Sequence, residues 1–437
     1  MNETPISREN DSMKTSSKTL WVAMVAVGVA LSACGGGGDS NTSVKTPSVE
    51  RPVTPNPPSP PIDNSNSNAV PIVINASMGS INMPTVSIVL CGPGQQDSSQ
   101  CETVGHMLVD TGSVGVRVMA SAVSPRLRSQ LLLQTTSDSK QASESPLAQC
   151  AQFASGFTWG SVRRADVTIG NTKASNIPLE LIGDGSYATP SDCMSNGGPD
   201  LSSAQALGAN GIIGIGHGVR DYPDAAKTVL PANYYACASA NSCVGTTVPV
   251  NRQVMNPVAA FATHNNGTVI RLPALPAGGQ ASVTGELVFG IGTQPNNMLP
   301  TDANVVAVDQ HGYFTTRYQG RVFTTSAIDS GTNGFAFDDA TIPTTGEGAY
   351  AWYAPSSALS LSATMQATSG AGTPIMVPFS IGNAQTLMAN NYAAYDNIGA
   401  PVSRWFLWGL PFFYGRNVYT VLEGATVGTQ TGPFVAF

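Results

Sequence analysis

Residues 106–118, HMLVDTGSVGVRV, run an apolar segment into Asp-Thr-Gly-Ser and leave it through alternating apolar residues. Residues 325–337, TSAIDSGTNGFAF, repeat the pattern around Asp-Ser-Gly-Thr. An Asp followed by a small hydroxyl residue and Gly, on a tight turn after a buried strand, pushes a carboxylate out of a sheet, and the Gly lets a second backbone come close. One such turn reads equally well as a structural Asx turn. Two of them, each followed by a further apolar-apolar-Gly segment, Ile212-Ile213-Gly214 after the first and Leu407-Trp408-Gly409 after the second, read as a pseudo-repeat of two β lobes.

The rest of the chain agrees with an all-β protein. Short β-rich runs such as PIVINAS, RADVTIG, GELVFGI and VYTVLEG are separated by Gly and Pro turns, and helical periods are scarce. Only 11% of the 437 residues are charged and the formal net charge is -7, so no basic surface for nucleic acid is on offer. The four histidines, His106, His217, His264 and His311, lack zinc-ligand spacing and read as surface or turn residues. No Gly-x-Ser-x-Gly is present, which leaves a serine-hydrolase triad without support. No metal or other cofactor is implied.

From about residue 72 to 437 the chain resembles the pepsin-like aspartic proteases. The matching residues are Asp110 to Ser113 with Asn210 to Gly214 in the first half, and Asp329 to Thr332 with Leu407 to Gly409 and Tyr419 to Val421 in the second. GELVFGIG, 285–292, resembles the strand that opens that family's second lobe. The resemblance implies a bilobal double β-barrel with few short helices and an active-site cleft between lobes at 70–280 and 281–437. It implies that Asp110 and Asp329 are catalytic. Thr111 and Ser330 would lock the two turns together, Ser113 and Thr332 would bond the outer carboxylate oxygens, and Gly112 and Gly331 would complete the turns. Two carboxyls roughly 3 Å apart share one proton and can activate a water without a metal. Donors to the charged form lower a carboxylate pKa, so acid conditions are expected. The implied substrate is an extended peptide or unfolded protein, bound as an added strand.

Departures keep a second reading open, a catalytically silent pepsin-like lipoprotein that binds a peptide or protein. Phe153 stands where the family's cleft-covering flap has Tyr, Arg117 replaces a large apolar or aromatic residue, and no basic pro-segment precedes the lobes. A structural, adhesin-like lipoprotein is a third reading, to be favoured if the two tetrads lie far apart. The whole chain also resembles an uncharacterised family of bacterial lipoproteins, a domain-of-unknown-function group, which implies no reaction.

At the amino end, Lys14 and Lys18 precede an uncharged apolar run at 20–31 that ends in Leu31-Ser32-Ala33-Cys34. This resembles a lipoprotein signal with its lipobox, so residues 1–34 are expected to be a signal peptide and Cys34 the lipidated residue; Met13 offers a more usual start than Met1. The Gly, Pro and Ser-rich residues 35–69 read as a tether. The expected location is the bacterial cell envelope, membrane-anchored through Cys34, with Gly35 favouring the outer membrane, and as a monomer. Cys91, Cys101, Cys150, Cys193, Cys237 and Cys243 remain, an even set in an exported chain. Many pairings are possible, and proximity favours 91 with 101, 150 with 193, and 237 with 243.

Overall fold

The chain enters the fold at Asn68, a buried residue whose side-chain amide donates to the carbonyl of Phe289 at 2.9 Å. The computed structural model describes residues 68–95, 97–136, 144–348 and 351–437. The signal peptide, Cys34 and the tether up to residue 67 lie outside the described residues.

Ala69–Ile74 (β1) is followed by ten strands of the first lobe: Thr85–Cys91 (β2), Glu102–Asp110 (β3), Val114–Met119 (β4), Leu132–Leu133 (β5), Leu147–Phe153 (β6), Gly156–Ile169 (β7), Thr172–Ile182 (β8), Gly211–Ile215 (β9), Tyr234–Ser239 (β10) and Ser242–Gly245 (β11). Their hydrogen-bonded order runs β11-β10-β6-β7-β8-β4-β9-β3-β2, and β7 pairs back onto β2, which closes a barrel. Closure removes the open edges that would otherwise invite aggregation. β9, GIIGI, is buried at every position, as a strand covered on both faces must be.

The chain then supplies Gly267–Leu272 (β12), Val283–Phe289 (β13) and Val305–Ala307 (β14) before entering the second lobe. That lobe contains Phe314–Tyr318 (β15), Arg321–Ile328 (β16), Phe335–Phe337 (β17), Thr344–Thr345 (β18), Trp352–Tyr353 (β19), Leu359–Gln366 (β20), Ile375–Ile381 (β21), Gly399–Pro401 (β22) and Phe406–Trp408 (β23). Seven of these form one sheet, β21-β20-β15-β16-β23-β17-β22. It wraps an aromatic core in which Phe337 stacks on Phe406 at 5.0 Å and Phe406 meets Trp408 at 4.8 Å. Arg416–Val421 (β24), Thr426–Val427 (β25), Gln430–Thr431 (β26) and Phe434–Ala436 (β27) end the chain.

Six strands from the start, middle and end of the chain, in the order β1-β13-β12-β24-β27-β14, run antiparallel and join the lobes. The protein is therefore all-β in two lobes. Among the described residues four α-helices occur, none longer than seven residues. All three disulfides favoured by proximity are formed, with S–S distances of 2.03, 2.09 and 2.05 Å.

Candidate active site

β3 ends at Asp110, the chain turns through Thr111, Gly112 and Ser113, and β4 leads away. β9 passes between these two arms, parallel to β3 with Asp110 opposite Gly214 and antiparallel to β4 with Gly115 opposite Gly214. A Cβ on Gly214 would lie 2.7 Å from the backbone of Val114, so only glycine fits this crossing. The second lobe repeats the device. β23 runs parallel to β16, with Ile328 opposite Trp408, and antiparallel to β17, with Phe335 opposite Trp408. A Cβ on Gly409 would sit 2.1 Å from the carbonyl oxygen of Gly334. The spacing of each Asp tetrad from its later apolar-apolar-Gly segment is thus the spacing of a turn from the strand threaded through it.

The two turns hold each other through reciprocal hydrogen bonds. The Ser330 hydroxyl accepts from the Thr111 N–H at 3.0 Å and donates to Val109 O at 2.7 Å, while the Thr111 hydroxyl accepts from the Ser330 N–H at 2.9 Å and donates to Ile328 O at 3.0 Å. Each carboxylate is also oriented within its own turn. Gly112 N–H donates to Asp110 Oδ1 and Gly331 N–H to Asp329 Oδ1, both at 2.8 Å. The Ser113 hydroxyl bonds Asp110 Oδ2, and that of Thr332 bonds Asp329 Oδ2 at 2.6 Å. A Cβ on Gly112 would lie 2.5 Å from Asp329 Cγ, and one on Gly331 2.7 Å from Asp110 Oδ1. Glycine at both positions leaves the two carboxyls room to meet, and they are hydrogen-bonded to each other.

Both aspartates are fully buried. Burial pushes the Asp110 carboxyl up from 3.8 despite its Ser113, Asp329 and Gly112 partners, and pushes Asp329 well above 3.8, with the negative charge of Asp110 adding to the rise. At both carboxyls the loss of water outweighs the hydrogen-bond donors.

The β6–β7 hairpin borders the Asp110 turn at Ser113. Phe153 ends β6 and is 5% exposed. With Ser113, Arg117, Asp221 and Tyr222 among its neighbours, it lines a cavity of about 10 Å³, room for a single water. Arg117 is buried and lies 3.1 Å from both Glu180 and Asp221. Burial raises Glu180 to about 8 and Asp221 to about 6 against the pull of Arg117. On the opposite side, the buried Asn82 reaches across the lobes and donates to Asn333 O at 2.7 Å and Tyr395 O at 2.8 Å. Sequence reasoning singled out Arg117 but missed Glu180, Asp221, Tyr222 and Asn82, since polar residues scattered along the chain carry no local period. His217, read as a surface or turn residue, instead lies at the lobe junction with Nδ1 2.8 Å from Val421 O, and burial lowers it to about 4. Among the described residues no group of three His, Cys, Asp or Glu side chains is placed to hold a metal ion.

No curated protein matches the chain. Residues 64–437 match the family described as Protein of unknown function (DUF3443), and over that span the chain belongs to this family.

Proposed function

We propose that the protein is a pepsin-like aspartic endopeptidase. The observation that carries this reading is the reciprocal Thr111–Ser330 hydrogen bonding, which sets two buried carboxyls in contact. Asp110 takes a proton from a water, and the water oxygen attacks the peptide carbonyl carbon. Asp329 gives its proton to the carbonyl oxygen, forming a tetrahedral diol. Collapse returns a hydroxyl proton to Asp329, passes the Asp110 proton to the amide nitrogen and breaks the C–N bond. An extended peptide between the lobes is the substrate that this chemistry fits. The test is cleavage of an unfolded protein by the full chain, with inhibition by a peptide mimic carrying a hydroxyl in place of the attacked carbonyl. Absence of both cleavage and mimic binding would overturn the reading.

Complete burial of the dyad favours the second reading, a silent protein that binds a peptide or protein without cutting it. Phe153→Tyr separates the two: it raises turnover if a missing flap hydroxyl limits an enzyme and changes nothing in a silent protein. We also propose that Cys34 carries lipid and holds the lobes at the bacterial envelope through the tether, on the ground of the lipobox at Leu31 to Cys34.

A further inference from the structure

Arg117 adds a side-chain link between the Asp110 turn and β6, which lies in the same sheet as β4 with β7 and β8 between them. Its Nη1 donates to Val114 O at 2.8 Å, on the first residue after the Asp110 turn. Its Nη2 donates to Asp221 Oδ2 at 3.1 Å and to Gln149 Oε1 at 3.4 Å. Gln149 belongs to β6, and its amide donates to the same Asp221 oxygen at 2.5 Å. The guanidinium also lies 5.8 Å from the ring centre of Phe153. Next to it, the Tyr222 hydroxyl is hydrogen-bonded to the backbone of Gln152. Glu180 of β8 lies 3.1 Å from the guanidinium and accepts from the Thr158 hydroxyl of β7 at 3.0 Å, while Asp221 accepts from the Tyr234 hydroxyl of β10 at 2.7 Å. Two carboxyl groups, a main-chain carbonyl beside the dyad turn and a hairpin amide all face this one cation.

We propose that Arg117 is a positioning residue that latches the β6–β7 hairpin over Ser113 and Asp110, so that closure of the cover and the setting of the dyad turn are one event. Substrate enters when the latch opens, and the residue that then lies against Ser113 and Phe153 is limited by how far the hairpin lifts. The latch stands on the contacts alone; its effect on cleavage rests on the catalytic reading of Asp110 and Asp329.

The test is amide hydrogen exchange of the full chain at one pH, with cleavage measured alongside. Three variants are compared with the wild type: Gln149→Leu, which cuts the hairpin arm alone; Arg117→Lys, which keeps charge without the fork; and Arg117→Met combined with Glu180→Gln and Asp221→Asn, which removes the guanidinium and both carboxyl groups together. The expected result is at least tenfold faster exchange confined to peptides from residues 147–159, largest in the triple variant and smallest in Arg117→Lys, with β2 and β3 unchanged. Where cleavage is present, kcat falls in the same order while KM changes little. Exchange that is unaltered at the hairpin, or raised uniformly across the lobe, overturns the latch; should the triple variant not fold, Gln149→Leu alone decides. A wild type that cleaves nothing counts against the protease reading and leaves the exchange result to judge the latch.

Discussion

Asp110 and Asp329 receive matching donors from their own turns, yet burial raises both, and the charge of Asp110 raises Asp329 further. Asp110→Asn and Asp329→Asn keep the shape of each side chain and remove its proton chemistry, so each should lower cleavage by about 10³-fold or more with little change in melting temperature. Activity requires Asp110 ionised and Asp329 protonated. Both are raised above 3.8, so the acid limb of the pH profile should lie above pH 3.8, and the fall at higher pH should follow deprotonation of Asp329. Ser113→Ala removes a donor to the Asp110 carboxylate and should move the acid limb further up; a limb that moves down would contradict the assignment of Asp110 as the base. Glu180 and Asp221 give a stability counterpart. The folded chain keeps protons on them up to about pH 8 and about pH 6, whereas in the unfolded chain they titrate near 4.5 and 3.8. The folded state binds more protons across that span, so this contribution to stability falls as pH rises from about 4 to 8. Melting temperatures should record the decline, and Glu180→Gln should flatten its upper part.

At the scale of elements, the turns were legible because their chemistry is local: a carboxylate, a hydroxyl and a glycine within one tetrad. The threaded strands β9 and β23 were legible from their all-apolar runs ending in Gly214 and Gly409, the glycines that the crossings require. The β6–β7 hairpin was legible only in part. Phe153 could be placed by counting back from β7, but the latch draws on Arg117, Gln149, Glu180 and Asp221 from four segments, and no window of sequence contains them together. The Cys150–Cys193 bridge ties β6 to the helix Ser191–Gly197 across 43 residues, the longest of the three loops. Replacing both cysteines with Ser should cost about 4 kcal/mol in the chain-entropy account, more than losing either short bridge. Denaturant unfolding measures this, and a smaller loss than for Cys91–Cys101 would count against a bracing role in the cover.

In the whole molecule, two lobes share a six-stranded sheet that runs from β1 to β14, and the dyad lies where their turns interlock. The two-lobe plan was readable from the repeated tetrads. The shared sheet was not, because pairing β1 with β13 and β12 with β24 brings together segments far apart in sequence. The proposed anchor predicts that the full chain partitions into a detergent phase and that Cys34→Ser moves it to the aqueous phase; equal partition of the two would remove the lipid from the account. The central claim is that Asp110 and Asp329 form a working catalytic pair. Its most direct test is cleavage of an unfolded protein by the wild-type full chain and by a folded Asp329→Asn chain from pH 3 to pH 8. Cleavage with a bell-shaped profile in the wild type, lost in the variant, is the predicted result; equal cleavage by both, or none by the wild type at any pH, would contradict it.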